Sequence, residues 1–480
     1  MEAEYIKVAP FQFKQIISAS FEKAVNDHGM GYISGYIDLK DEELYTAYPV
    51  SKTPVIVSTV SEEGEEKIFY YGVLESLNIS HKNSQLLMEI QIVPYTKLMD
   101  LSPRMRSFQN EKTTYRDVIT MVFSRYEVPG VIMEPGIAET FINEYLVQYQ
   151  ETDWEFIKRL ASHFNRVVIP DYMTDGVKFY FGIPQRAVSA DISNTEYRLE
   201  KSLTTYNYKM ENGVTGTSEY DDMAVKIPSR SLYDVGDKVL FEGRPYIVAH
   251  SISALDGHQL NHLYTLVTEN GLKIPKQYNE KMIGASIDGI VMNVAADEVQ
   301  VQLGVEDEQV SRWFAYATVF SSTDGSGWYF MPQKGDEIRL YFPTRREKHA
   351  YAVSSVHRPI TSSNAPAGTD TVVIVEKEAP RSNPLTNEIS TPDGKRVRFT
   401  ETSIIMETPS GMRFTMTDGE GISIVSSGSV SIRASENLNI AGSKTLFATA
   451  GVRLRAYANG SSVTLDSESV TISGKNVFVQ

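Results

Sequence analysis

The sequence predicts a mainly β chain. It has tandem β-barrels with an α+β insert, a small barrel of the OB (oligonucleotide/oligosaccharide-binding) type, and a C-terminal trimeric β-helix or β-prism. Three observations carry this. Short runs rich in Val, Ile, Thr and Tyr alternate with polar residues near the start and again past residue 196, the period-2 pattern of half-buried strands. Between those regions the apolar period changes to that of a helix. From residue 397 onward, apolar pairs separated by one residue recur at short, even steps with Gly and Ser between them.

At roughly 150 residues per domain, a 480-residue chain has room for about three domains or more. Residues 1–104 read as a first antiparallel barrel, with strands at 31–37, 67–71 and 86–92. Residues 105–195 form the α+β insert. Tyr115, Val118, Ile119, Val122 and Phe123 recur at helical spacing, Thr113 or Thr114 is a fitting N-cap, and Pro129-Gly130 ends the segment. A second helix is predicted over Asp153–Phe164, capped by Thr152 or Asp153, with Trp154, Ile157, Leu160 and Ala161 as its apolar stripe. Strands return over 196–275 as a second barrel. Residues 284–357 hold about five strands, the length and count of a small Greek-key barrel. Residues 358–394 contain five prolines and read as a linker or extended arm.

Residues 395–480 are the repetitive part. The pairs are Val397/Phe399, Ile404/Met406, Phe414/Met416, Ile422/Ile424, Val430/Ile432, Leu438/Ile440, Leu446/Ala448, Val452/Leu454, Val463/Leu465, Val470/Ile472 and Val477/Val479. Each short strand offers only two inward apolar side chains. One chain folded this way leaves open sheet edges, whereas three identical chains around one axis close the prism. A homotrimer follows as the expectation.

Composition narrows the function classes. There is no cysteine, which excludes thiol catalysis, cysteine zinc sites and iron–sulfur clusters. The formal net charge is −15, which argues against sequence-independent nucleic-acid binding. The charge is uneven: residues 390–480 carry net +1 and residues 1–389 carry −16. The N-terminus lacks the basic and apolar regions of a signal peptide, so synthesis in the cytoplasm is expected.

Motifs that could carry chemistry are weak. His258 and His262 are four apart with His250 nearby, but Gln259 and a strand context separate the pair by roughly 13 Å. Gly325-Ser326-Gly327 lacks the Gly-Lys-Ser/Thr of a phosphate loop and reads as a turn. Neither Gly-x-Ser-x-Gly nor His-Glu-x-x-His occurs. Trp313 and Trp328 read as barrel core or chain–chain contact, because no basic stripe accompanies them. The expectation is a chain with no catalytic residues, no cofactor and no metal.

Two segments carry a resemblance. Ser107-Phe108-Gln109-Asn110 precedes the first helix, and Thr152-Asp153-Trp154-Glu155-Phe156-Ile157-Lys158-Arg159-Leu160 opens the second. These resemble the "FQN" and "(S/T)DWxFLxRL" patterns of the hub segment in the valine–glycine repeat protein G (VgrG) and contractile-phage hub family, with Ile157 in place of the usual Leu. Trp313 and Phe330-Met331-Pro332-Gln333-Lys334-Gly335-Asp336-Glu337-Ile338 resemble the "SxWxRVA" and "FxPxxGDEV" patterns of the family's OB domain. Phe314-Ala315-Tyr316-Ala317 departs from the first of these. The family markers are thus Phe108, Gln109, Asn110, Asp153, Trp154, Arg159 and Leu160 in the hub, and Trp313, Pro332, Gly335, Asp336 and Glu337 in the OB barrel.

The resemblance implies a structural, non-enzymatic spike at the tip of a phage tail, tailocin, type VI secretion or other contractile injection system. Its homotrimer would join a sixfold inner tube (Hcp-like) to a threefold needle that punctures a target envelope mechanically. Baseplate wedge proteins and separate effectors are further implied partners. Residues 358–394 are too short for the lysozyme that some phage spikes insert there. The tail has no histidine for an apical iron site, so a PAAR-like tip protein is expected to dock on Val477, Phe478, Val479 and Gln480. The rival is an extracellular β-rich protein that binds or cleaves glycans and carries a solenoid tail.

Overall fold

The computed structural model describes residues 3–61, 64–82, 84–193, 196–257, 259–305, 310–322, 328–354, 385–391 and 393–478. The chain is mainly β and divides into two compact units, residues 1–359 and 360–480. No helix is long and apolar enough to cross a membrane.

The largest element of the first unit is a twelve-stranded sheet. Six strands come from residues 3–93 and six from residues 188–267. The two sets meet where Gln15–Ala24 pairs antiparallel with Arg244–Asp256, from His250 opposite Ala24 to Ala254 opposite Ser20. Regions that are separate in sequence therefore share one ladder. Alternation explains the core. Along Gln85–Val93, Leu86, Met88, Ile90 and Ile92 are buried and the residues between them are less so. Leu260, from the second region, packs into the first region's core beside Ile6, Val57 and Ile90. Lys23 is buried at this seam. Its Nζ donates to the Phe69 carbonyl (2.8 Å), pairs with Asp234 (3.0 Å) and lies over the Phe69 ring.

The α+β segment lies between these strand sets in sequence. After the short helix α1 (Glu42–Thr46) in the first strand set, α2 spans Tyr115–Phe123 and α3 spans Asp153–Ser162. Both are opened by capping boxes, Thr114 with Asp117 and Thr152 with Glu155. A further helix, α4 (Leu203–Glu211), stands where the sequence reads only as strands. Its apolar residues Leu203, Tyr208 and Met210 are exposed and only Lys209 is buried, so no helical stripe marks it.

Residues 286–354 build the small barrel. Its sheet order is Trp313–Ala315, Glu298–Gln302, Ser286–Ala295, Glu337–Tyr341, Tyr351–Ser354. A parallel bridge from Tyr316 to Ala352 connects the two ends. This is the strand order of a five-stranded Greek-key barrel. Val291, Val299, Val301, Phe314, Ile338, Leu340 and Phe342 fill it. Trp313 and Trp328 are not in this core: they are 37% and 48% exposed, and alternation turns Phe314 inward in place of Trp313. Gly325-Ser326-Gly327 and His258 lie outside the described residues, as does most of the 358–394 linker.

The second unit contains two antiparallel sheets whose strands pair with their own sequence neighbours. Asn387–Ser390, Arg396–Phe399, Ser403–Glu407, Arg413–Thr417 and Gly421–Val425 form a five-stranded meander. Register places Ile389, Val397, Phe399, Ile404, Met406, Phe414, Met416, Ile422 and Ile424 on one face. The other face carries an ion ladder of Glu388, Arg396, Arg398, Glu407 and Arg413. Arg453–Ala458, Ser461–Asp466 and Val470–Ser473 form the second sheet, with Leu454, Val463, Leu465, Val470 and Ile472 on one face. Residues 426–452, which hold three of the expected apolar pairs, form no ladder within the chain.

Candidate functional site

Two of the hub markers, Gln109 and Arg159, reach from the α+β segment to the small barrel. Their backbone frame is a two-stranded ladder, Arg104–Phe108 against Leu146–Glu151, followed at once by α3. The capping box at Thr152 fixes the start of α3 and so aims Asp153 back at the ladder. Asp153 is fully buried. Its Oδ1 accepts from Arg106 (2.6 Å) and Gln148 (2.9 Å), and its Oδ2 accepts from the Tyr126 hydroxyl (2.6 Å). Burial, then the hydrogen bond to Asp153, pushes the Tyr126 phenol well above its ordinary range. Trp154, also buried, stacks near His28 (4.7 Å) and edge-on to Phe179. Phe108 stacks on Phe156, and Leu160 completes the same core.

Arg159 is the centre of the contact. It is 3% exposed, and its guanidinium binds both oxygens of Glu151 (2.8 Å each), the Val147 carbonyl (2.7 Å) and Glu347 (2.8 Å). Glu347 belongs to the small barrel, in the turn Glu347–His349. Burial opposes the Arg159 charge, and the two carboxylates more than restore it, so its pKa is raised. Burial also lifts Glu151 above the usual carboxylate range despite the neighbouring cation. Such a cluster is tolerated only with every charge paired and hydrogen-bonded.

Gln109 makes a second bond across the same contact. Its amide donates to the Val301 carbonyl (2.8 Å), and its oxygen accepts from the Ser311 and Arg312 N–H groups (3.2 Å each). Tyr145 is wholly buried among the small barrel's core residues, against Phe314 and Phe342. Asn110 only caps the local turn, its Oδ1 accepting from Lys112 N–H.

The barrel markers form a different cluster. Gly335 has φ +94°, which favours glycine, and its N–H donates to Val291. Asp336 accepts from the Gln333 N–H (2.7 Å), which closes the turn before Glu337 starts its strand. Pro332 is half-buried beside this turn. Val477 and Phe478 are exposed, while Val479 and Gln480 lie outside the described residues. Arg106, Tyr126 and Glu347 escape sequence reading because their partners are 27 to 188 residues distant, and Gln148, five residues from Asp153, carries no motif that marks it. His262 is buried and hydrogen-bonded to Ser253, and His250 pairs with Glu22. Among the described residues no three His, Asp or Glu gather to hold a metal.

Comparison with known proteins places this geometry. Residues 48–164 match the family described as phage tail baseplate hub (GPD). This segment is similar to a baseplate hub. The hub segment contains Phe108 to Asn110 and ends on α3, so the Arg159 contact joins it to the small barrel. No curated protein sequence matches the chain. Among solved structures, the chain is similar to the E. coli c3393 protein, described as a type VI secretion component resembling the T4 bacteriophage tail proteins gp27 and gp5. The identity is 11% over 72% of this chain and 98% of that one, with a TM-score of 0.52. A chain of the half-lidded Francisella PdpA–VgrG complex is 10% identical over 85% of this chain and 83% of that one, also at 0.52. At these identities the likeness is one of fold.

Two predictions follow from the hub contact. Arg159→Ala strands Glu151 and Glu347 without a buried partner and lowers unfolding free energy by about 3–5 kcal/mol, read from urea denaturation. Glu347→Gln, which keeps an acceptor, lowers it less; equal losses would count against the charge pairing. The second concerns pH. Burial lowers the pKa of His28, of His163 and of His262, the last to about 4. The unfolded chain takes up these protons below about pH 6.5, before the folded chain does, so stability falls as pH drops from there toward 4. A urea midpoint that stays constant between pH 7 and 5 would refute this.

Proposed function

We propose that this chain is the hub–spike protein of a contractile injection system or phage-like tail, acting as a homotrimer. The hub would join the sixfold inner tube to a threefold needle built by residues 395–480. The observation that carries the trimer is the bare face of the five-stranded tail sheet in a chain that bears a baseplate-hub segment. Nine apolar side chains lie on that face, and Ile404, Met406, Met416, Ile422 and Ile424 are 37–65% exposed. Water-exposed apolar surface of this extent marks an interface. Covering what is still exposed contributes about 1 kcal/mol per side chain. Three such faces turned inward make a prism with a dry core, and the Arg–Glu ladder on the opposite face stays in water.

The mechanism is stiffness rather than chemistry. The hub–barrel contact is closed by buried, fully paired groups, so a push on the hub passes to the barrel without a hinge. The trimer closes the needle's sheets against bending while it is driven into an envelope. Likeness in fold to a type VI secretion component and to a VgrG complex supports an Hcp-like tube and baseplate wedge proteins as neighbours, with effectors on other chains. Exposed Val477 and Phe478 support the docking of a PAAR-like tip protein at residues 477–480.

Native mass spectrometry tests the assembly: the expected mass is three times the 53.8 kDa chain. Phe414→Asp, which puts a charge into the shared core, is expected to release monomers. A monomeric native chain would end this reading. For the tip, removal of residues 475–480 is expected to abolish co-purification of a PAAR-like protein, and undiminished recovery would refute that docking site.

A further inference from the structure

Each end of α3 is fastened to a histidine. At its start stands His28, in the turn between the strands Gln15–Ala24 and Met30–Ile37. The ring is buried, with Nε2 2.9 Å from Asp100 Oδ2 and Nδ1 2.9 Å from Thr96 Oγ1. The other Asp100 oxygen accepts from the hydroxyl of Thr152 (2.5 Å), the N-cap of α3. An ionised carboxylate only accepts, so Nε2 carries the proton and Nδ1 accepts from the buried Thr96 hydroxyl. Asp100 thus holds the imidazole with one oxygen and the helix cap with the other. A second proton on the ring breaks the Thr96 bond and sets a charge 4.7 Å from the Trp154 ring. Water reaches the site through a pocket of about 210 Å³, lined by His28 with Glu22, Asp27, Glu75 and Lys97. Lys158 of α3 is the other cation that bears on the ring. At the far end, His163 is the C-cap of α3, and its Nδ1 lies 2.8 Å from the Tyr115 hydroxyl of α2. Arg159 and Lys276 bear on His163, and Glu144 and Glu347 bear on Tyr115.

We propose that α3 is a latch released by protons: neutral His28 and His163 fasten its two ends, and when they are protonated the helix opens and Arg159 loses its grip on Glu347. The joint between hub segment and small barrel, closed at neutral pH, then yields in acid while the rest of the chain stays folded. The latch works within one copy and does not depend on the trimer. The sign follows from the surroundings of each ring. Burial lowers the pKa of His28 by more than Asp100 raises it, and Lys97 and Lys158 add to the fall. Burial, then Lys276 and Arg159, lowers that of His163. The closed helix therefore refuses protons that an open one accepts near the ordinary histidine value of about 6.5. Opening grows more frequent as pH falls below that value, by up to about tenfold per pH unit for each histidine released. Glu151 works in reverse. Burial raises its pKa despite Arg159, so the closed form takes its proton first and the effect levels off at the acid end.

Hydrogen exchange on the full chain, corrected for the pH dependence of intrinsic exchange, reads this opening. Between pH 7 and 5.5 the α3 amides from Phe156 onward are expected to lose protection by about tenfold, and by up to about a hundredfold if both ends open together. The Ala350 amide, bonded to the Glu347 carbonyl (3.0 Å), is expected to follow them. At pH 5.5 all of these should exchange faster than the amides of Gln85–Val93, which open only when the whole fold does. His28→Gln keeps a donor for Asp100 and an acceptor for Thr96 but does not titrate. It is expected to flatten the pH dependence in part, His163→Gln likewise, and the double variant almost wholly. Three outcomes overturn the latch: α3 protection that stays constant over this range, α3 amides that exchange no faster than those of Gln85–Val93, or a double variant that keeps the native pH dependence. The first two need only the unaltered protein, so they decide even if a variant fails to fold.

Discussion

The first unit depends on one buried cation. Arg159 is almost wholly buried, and its charge survives there because Glu151 holds two of its edges and Glu347 a third. Taking three charges out of water costs several kcal/mol per ion before pairing restores it. The cluster is therefore a poor source of net stability and a strong source of geometry, because a small displacement of either side leaves a buried charge unmatched. Glu151 and Arg159 come from the hub segment and Glu347 from the small barrel. The relative placement of the two is thus set by one guanidinium. Gln109 and Tyr145 then act on an orientation already fixed, the first by reading three backbone groups of the barrel, the second by filling its core.

The same logic is reversed in the tail. There the charged residues, Glu388, Arg396, Arg398, Glu407 and Arg413, pair along one half-exposed face, and the apolar residues stand uncovered on the other. In the hub, burial is completed within one chain and charge supplies precision. In the tail, burial is left incomplete and alternation gathers the apolar residues on one face. The hub segment cannot shear against the small barrel without exposing an unpaired ion. The uneven charge accords with this division, since residues 1–389 carry net −16 and the tail net +1.

Much of this was legible in the chain's own order. Thr114 and Thr152 mark the starts of α2 and α3 by capping chemistry that needs only neighbours three residues away. The inward residues Ile338, Leu340 and Phe342 follow from a period of two. The apolar pairs recurring after 397 marked strands with one apolar face. These are local rules, and sequence states local rules directly. The helix α4 was not legible, because it buries only Lys209 and so leaves no apolar stripe. Nor was the outward position of Trp313, since alternation fixes two faces without saying which is inside.

Sequence by itself determined the strand-rich character of the chain, its helix starts and its repetitive tail, and resemblance singled out residues of the hub segment. Tertiary structure alone decided what those residues do. Arg159 meets Glu347 across 188 positions, Arg106 meets Asp153 across 47, and Gln109 reaches Val301 across 192. It also decided that the two β regions share one sheet, through the pairing of Gln15–Ala24 with Arg244–Asp256. The reason is physical: a side chain's partner is chosen by where the folded backbone brings it, and burial then decides whether that meeting is optional or obligatory.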